Sequence, residues 1–206
     1  EDAPRLVLAE AGTGVGKTLG YIAPASVWVD KNGGAVWLST YTKNLQRQLR
    51  RESRRAWPEK RVDGSAPVGV RKGRENYLCL LNLEDALQGG FAGRPAILAH
   101  LVARWAAYSQ DGDMIGGDLP GWLGTLFRKR GIAALTDQRG ECVYAGCPHY
   151  RKCFIEHAAR SSQNADLVIA NHALVMVNAA RAREQQGRPT RIIFDEGHHL
   201  HDAADS

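Results

Sequence analysis

Leu6-Val7-Leu8-Ala9-Glu10-Ala11-Gly12-Thr13-Gly14-Val15-Gly16-Lys17-Thr18 is the stretch on which the reading of the fold turns. Arg5 to Ala9 is a short apolar run of the kind that forms a buried strand. A glycine-rich turn follows from Ala11 to Gly16. Lys17 to about Asp30 then reads as a helix, with Pro24 as an expected kink. The turn departs from the pattern G-x-x-x-x-G-K-[ST] only at its first position, where Ala11 stands for glycine. Between a strand and a helix, such glycines let backbone N–H groups curl around phosphate oxygens, and the helix N-terminus adds partial positive charge. Lys17 supplies a point charge to the β- and γ-phosphates, and the Thr18 hydroxyl reaches Mg²⁺. Ala11, Gly12, Thr13, Gly14, Val15, Gly16, Lys17 and Thr18 are therefore the expected ATP-binding residues. A plain glycine turn would need no Gly-Lys-Thr at this place.

Outward from this loop the alternation continues. Asn32-Gly33-Gly34 ends the helix, and Ala35 to Thr40 reads as a second strand. Thr42 is a candidate N-cap for a helix to about Ala56, with Leu45 and Leu49 on one face. Strand, helix, strand, helix with short links predicts a parallel α/β sheet. The pattern resumes at Asp166 to Ala170 (strand), Asn171 to about Gln185 (helix) and Arg191 to Asp195 (strand), with a break at Gly187-Arg188-Pro189. Between Lys72 and about Ser162 no strand is expected. Pro95 to Tyr108 and Leu119 to Leu135 look helical, joined through the glycine-rich loop Gln110 to Asp118. The expected fold is therefore an α/β, P-loop NTPase (RecA-like) parallel sheet carrying an inserted, mostly helical module. The expected boundaries are 1–71, 72–162 and 163–206.

Composition agrees with a globular chain: of 206 residues, 44% are hydrophobic and 24% charged. No apolar stretch reaches the roughly 18 residues that span a bilayer. The start at Glu1 has neither the basic nor the apolar region of a signal peptide. A cytoplasmic protein without membrane attachment is expected. The net charge of +5 is concentrated. From Lys43 to Arg61 there are eight Lys/Arg against Glu52 and Glu59, more than the whole chain's excess, so the remainder is slightly acidic. Such a block suits a polyanion, or else forms an ordinary solvated helix face.

Asp195-Glu196-Gly197-His198 closes the apolar run Ile192-Ile193-Phe194. A carboxylate at a strand end, Asp195, can share the Mg²⁺ that Thr18 touches. Glu196 is then placed to polarise an attacking water. The plainer alternative is an acidic helix cap followed by a chance histidine. Four cysteines, Cys79, Cys142, Cys147 and Cys153, bracket the inserted module. Without an export signal, four thiols point to a metal site rather than to disulfides. A Cys₄ set suits an iron–sulfur cluster or zinc. Zinc usually sits on paired C-x₂₋₄-C knuckles, whereas Cys79 stands 62 residues before the next cysteine. His149 and His157 are nearby but read as solvent-facing.

Several of these segments together resemble the superfamily 2 DNA helicases of the DinG/XPD type. They are Glu10 to Thr18, the segment Leu38 to Gln46, the Asp-Glu-Gly-His box, Arg71-Lys72-Gly73-Arg74-Glu75-Asn76-Tyr77-Leu78-Cys79, the run Cys142-x4-Cys147-Pro148-x4-Cys153 (as the family pattern is drawn), and Ala165 to His172. The cysteine pattern after the long gap is more like bacterial DinG than XPD. Gly197 departs from the Asp-Glu-Ala-His consensus at a position whose side chain does no chemistry. The resemblance implies ATP, Mg²⁺ and a [4Fe–4S] cluster on the four cysteines as cofactors. It also implies single-stranded or forked DNA as partner, 5′ to 3′ translocation, and work in DNA repair or replication. Lys17, Asp195 and Glu196 become the catalytic residues. Thr40, Thr42 and Arg47 become DNA-phosphate contacts, with Tyr41 and Tyr77 able either to stack on bases or to pack in the core. Trp105, Trp122 and Phe127 read as core of the inserted module.

The resemblance further implies a second motor domain, which this chain lacks, so the chain by itself is expected to bind ATP and DNA as a monomer without efficient turnover. The rival from another class is a zinc-stabilised P-loop ATPase that does not act on DNA.

Overall fold

The computed structural model describes residues 6–12, 16–41, 43–57, 66–90, 92–138, 141–181 and 190–201. Its centre is a four-stranded, all-parallel sheet: β1 (Ala35–Thr40), β2 (Val68–Val70), β3 (Leu167–Asn171) and β4 (Thr190–Phe194), in the order β2-β3-β1-β4. Val36 pairs with Leu167 and Leu38 with Ile169 on one side of β1, and Leu38 pairs with Ile193 on the other. The two central strands are buried on both faces, as parallel strands covered by helices are. Helix α1 (Lys17–Asn32) and helix α2 (Lys43–Ser53) pack on this sheet. Ile22, Val29, Val36, Leu38, Leu49, Trp57, Leu167 and Ile169 form one hydrophobic core. Leu49 is fully buried, as the spacing of α2 predicts. Pro24 lies inside α1.

A second core belongs to the region between β2 and β3. Helices α3 (Leu80–Asp85), α4 (Arg94–Ala106), α5 (Gly121–Leu126), α6 (Arg128–Ala133) and α7 (Phe154–Asn164) supply most of its elements, and helix α8 (His172–Arg181) follows β3. Leu78, Leu83, Leu98, Val102, Met114, Leu123, Ile132 and Leu135 pack together there. Backbone bonds tie its base: Leu78 N–H to Gly112 O, Cys79 N–H to Leu135 O, and Met114 N–H to Asn76 O, each 2.9 Å. Gly112 has φ +61°, and a Cβ at that position would collide with the Phe154 ring, so the turn requires glycine. No strand is formed between residues 72 and 162 among the described residues, as expected; only isolated bridges join Tyr77 to Asp113 and Leu78 to Thr136.

Three expectations are corrected. Leu6 to Ala9 do not form a strand, and Leu6, Val7 and Leu8 are 82–89% exposed. A short parallel strand depends on ladder bonds and on cover over both faces, and this segment has neither. The single helix expected from Leu119 to Leu135 is two short helices, broken at Phe127, whose backbone leaves the helical range. Gly121, Gly124 and Gly131 lower the helix propensity of the whole stretch. Trp122 is 56% exposed, whereas Trp105 and Phe127 do pack on the second core. Strand β2 itself was missed: three residues, Val-Gly-Val, are too short for an alternation to register. Among the described residues no helix is long and apolar enough to cross a membrane.

Candidate functional site

Lys17 is the first residue of α1, following Gly16 in the left-handed conformation at φ +78°. Thr13, Gly14 and Val15 lie outside the described residues; Ala11, Gly12 and Gly16 are exposed. At the opposite end of the sequence, β4 delivers Asp195 and Glu196 to the same place. Asp195 N–H bonds to Ser39 O at 2.8 Å, extending the ladder by one rung. Lys17 Nζ then donates to Glu196 Oε1 at 3.0 Å, across 179 positions of sequence. Bonding to Lys17 holds the Glu196 carboxyl below its ordinary range, with the charge of Lys17 adding to it. Both side chains are about a third exposed, so the pair is accessible.

Tyr21 was not foreseen. It lies one helical turn after Lys17, on the same face. Its hydroxyl donates to Asp195 Oδ2 at 3.3 Å. Burial pushes its phenol above the usual range; the Thr18 side chain opposes that shift and the Asp195 charge adds to it. The i, i+4 spacing from Lys17 was the available signal. Lys17, Thr18, Tyr21, Asp195 and Glu196 thus meet in one place, as sequence reasoning expected for four of them.

Glu196 has an unusual backbone, φ +56° and ψ +50°, rarely adopted by a residue with a side chain. A short 3₁₀ turn, Gly197–His199, follows, and His199 N–H bonds to Glu196 O at 3.1 Å. His198 Nδ1 stands 3.6 Å from Glu196 Oε2. Behind the turn, the buried His172 shares a 2.6 Å hydrogen bond through Nδ1 with Ser39 Oγ. Burial lowers the imidazole's affinity for a proton, partly offset by the Glu196 backbone.

The expected DNA contacts are dispersed in character. Thr40 is fully buried and its hydroxyl has no hydrogen-bond partner among the described residues, so it does not face solvent here. Thr42 lies outside the described residues. Arg47 is exposed on α2. With Gln46 and Arg50 it lines a cleft of about 550 Å³ between α2, β2, α7 and the loop 110–118. Tyr77 is core: 4% exposed, its hydroxyl accepting from Lys72 N–H at 3.1 Å. Tyr41 is exposed and stacks on His199.

The four cysteines line one small cavity of about 30 Å³, together with Asp137, Tyr144 and His149. All four are free thiols. Burial raises the Cys79 thiol above its usual value, backbone N–H groups of Asn82 and Leu81 opposing the shift. Arg74 reaches this cavity's wall: its Nε donates to Asp137, and its guanidinium lies 4.9 Å from the centre of the Tyr144 ring. Among the described residues, no three His, Cys, Asp or Glu side chains converge closely enough to hold a metal ion. His149 is bonded to Glu84 at 2.8 Å, and His157 is exposed and bonded to Arg151 O.

An all-parallel α/β sheet whose Gly-Lys-Thr helix meets a strand-end acid pair agrees with a RecA-like fold. No family model matches the chain. It is 35% identical, over 95% of its length, to the ATP-dependent DNA helicase YoaA of Haemophilus influenzae, of which it covers 30%. It is 33% identical to the Escherichia coli protein of the same name, over 96% of the chain and 30% of that protein. A Bacillus subtilis protein named 3′-5′ exonuclease DinG is 30% identical over 96% of the chain and 20% of that protein. The chain is similar to one region of these YoaA- and DinG-named proteins, and it spans less than a third of their length.

Proposed function

We propose that the chain is part of the first motor domain of an ATP-dependent DNA helicase that couples ATP hydrolysis to translocation on single-stranded DNA. The observation that carries this reading is the meeting of Lys17 with Glu196 beside Asp195 and Thr18. In this reading residues 1–71 and 163–206 are motor and 72–162 the inserted module. ATP lies over the Ala11–Thr18 loop. Lys17 leaves Glu196 for the β- and γ-phosphates, neutralising charge that grows during phosphoryl transfer. The freed Glu196 carboxylate orients the attacking water. Thr18 and Asp195 would hold Mg²⁺, and Tyr21 fixes the Asp195 side chain. Arg47 and its basic neighbours bind DNA phosphates without sequence preference. The 5′ to 3′ direction and a repair or replication role follow from the family resemblance.

Four thiols around a single cavity are the donor set of a [4Fe–4S] cluster, and Cys79, Cys142, Cys147 and Cys153 would hold it. Bound there, the cluster would join the two ends of the inserted module. A structural zinc on the same thiols is the competing reading, and a metal and sulfide assay separates the two.

The test of the motor reading is Lys17→Ala in the full-length protein. ATP hydrolysis stimulated by single-stranded DNA should vanish while the circular dichroism spectrum is unchanged. Hydrolysis at the wild-type rate would overturn the assignment of the nucleotide site.

A further inference from the structure

Glu196 holds a left-handed backbone, and such strain persists only where the surroundings over-determine it. The restraint comes from two sides. Ser39 binds Asp195 through its carbonyl and His172 through its hydroxyl, fixing the strand end. Two residues on from Ser39, the Tyr41 ring lies on the His199 ring with centroids 3.9 Å apart and planes 13° from parallel. His199 closes the turn through its N–H bond to Glu196 O. Tyr41 is 47% exposed and stands at the end of β1, directly before Thr42 and the basic helix α2. One aromatic pair therefore joins the segment read above as DNA-facing to the turn that presents the catalytic carboxylate.

We propose that Tyr41 and His199 are positioning residues: their stack transmits occupancy of the DNA-facing segment to the Glu196 turn, so that bound single-stranded DNA sets the carboxylate for attack. The inference rests on the helicase reading and adds a specific coupling element to it. Neither ring belongs to the residues assigned above to phosphate or Mg²⁺, so the stack is expected to govern turnover rather than ATP affinity. Displacing a catalytic carboxylate by a fraction of an ångström is enough to slow a reaction about tenfold or more.

The experiment compares Tyr41→Ala, Tyr41→Phe, His199→Ala and the Tyr41→Ala/His199→Ala double variant in the full-length protein. ATPase kcat and KM are measured with and without oligo(dT), and oligo(dT) affinity is measured separately. Tyr41→Ala and His199→Ala should each lower DNA-stimulated kcat about tenfold at saturating oligo(dT), with KM for ATP unchanged. The double variant should be no worse than either single one, because both remove the same contact. Tyr41→Phe keeps a ring at the stack and should restore stimulation. Additive losses in the double variant would overturn the stack as a coupling element. So would a Tyr41→Ala defect that disappears once weaker DNA binding is saturated, since that would make Tyr41 a base-stacking contact only. Wild type that hydrolyses ATP no faster with oligo(dT) would overturn the helicase reading as well.

Discussion

Lys72 and Asp113 form an ion pair inside the junction between the two cores, with side chains only 6% and 9% exposed. Lys72 Nζ also donates to Ile115 O at 2.9 Å, and Asp113 Oδ1 accepts from Ile115 N–H at 3.0 Å. Lys72→Met keeps the aliphatic stem and deletes the charge, leaving a carboxylate buried with one backbone donor. Breaking a buried pair in this way costs about 3–5 kcal/mol. At roughly 2–4 °C per kcal/mol for a chain of this size, the melting midpoint should fall by about 10 °C. Burial already raises the Asp113 carboxyl although Lys72 opposes it, and without Lys72 it rises further. A carboxyl raised in the folded state contributes stability below its unfolded value and loses it as pH rises through the folded one. The deficit of Lys72→Met should therefore be smaller at pH 5 than at pH 8. Chemical denaturation followed by circular dichroism measures it, and Lys72→Met/Asp113→Leu should recover most of the loss. A single-variant deficit below about 1 kcal/mol at pH 8 is the size of an exposed pair and would refute the reasoning.

Cys147→Ser in the full-length protein should lose iron and acid-labile sulfide yet keep ATP binding; about four irons per chain are expected in anaerobically purified wild type by the cubane stoichiometry. One zinc and no sulfide would replace the cluster with the competing reading. Charge reversal at Arg47, Arg50 and Arg54 should weaken oligo(dT) binding and flatten its salt dependence, measured by fluorescence anisotropy across a salt series. Burial pushes the Tyr77 phenol up to about 12 from an ordinary 10.0. Its folded form keeps a proton that the unfolded chain has lost, so stability should fall by roughly 2–3 kcal/mol between pH 10 and 12. Tyr77→Phe should remove that contribution from denaturation curves taken across the interval, leaving the part that the raised Tyr21 phenol supplies.

The strands β1, β3 and β4 were legible because each carries an uninterrupted apolar run, Ala35 to Leu38, Leu167 to Ala170 and Ile192 to Phe194, near turn signals. Lys17 and Glu196 were legible as two sides of one expected nucleotide site, although 179 positions separate them; their direct ion pair was not. What the sequence hid was set by tertiary contact. β2 exists through its pairing with β3, Tyr21 acts through a carboxylate brought from β4, and the apolar Leu6–Ala9 run pairs with no strand among the described residues. Thr40 read as a phosphate contact through the helicase resemblance, yet β1 is covered on both faces and buries its side chain. The cysteines were read as one set from their number and setting, and they line one cavity because Cys79 is tied to Leu135 at the base of the helical region.

That base has a kinetic meaning. Val68–Val70 lies beside Leu167–Ile169 in parallel register, yet nearly a hundred residues separate the two segments along the chain. Closing so long a loop in the unfolded chain is slow, and contacts of this sequence separation lengthen folding times. The helical region has its own core and brings its two ends together as it collapses. It therefore shortens the effective loop before the sheet's outer pair must form, and β2 docking onto β3 is expected to follow that collapse rather than precede it. Variants that loosen the helical core, such as Leu98→Ala, would then slow refolding of a sheet edge they do not touch.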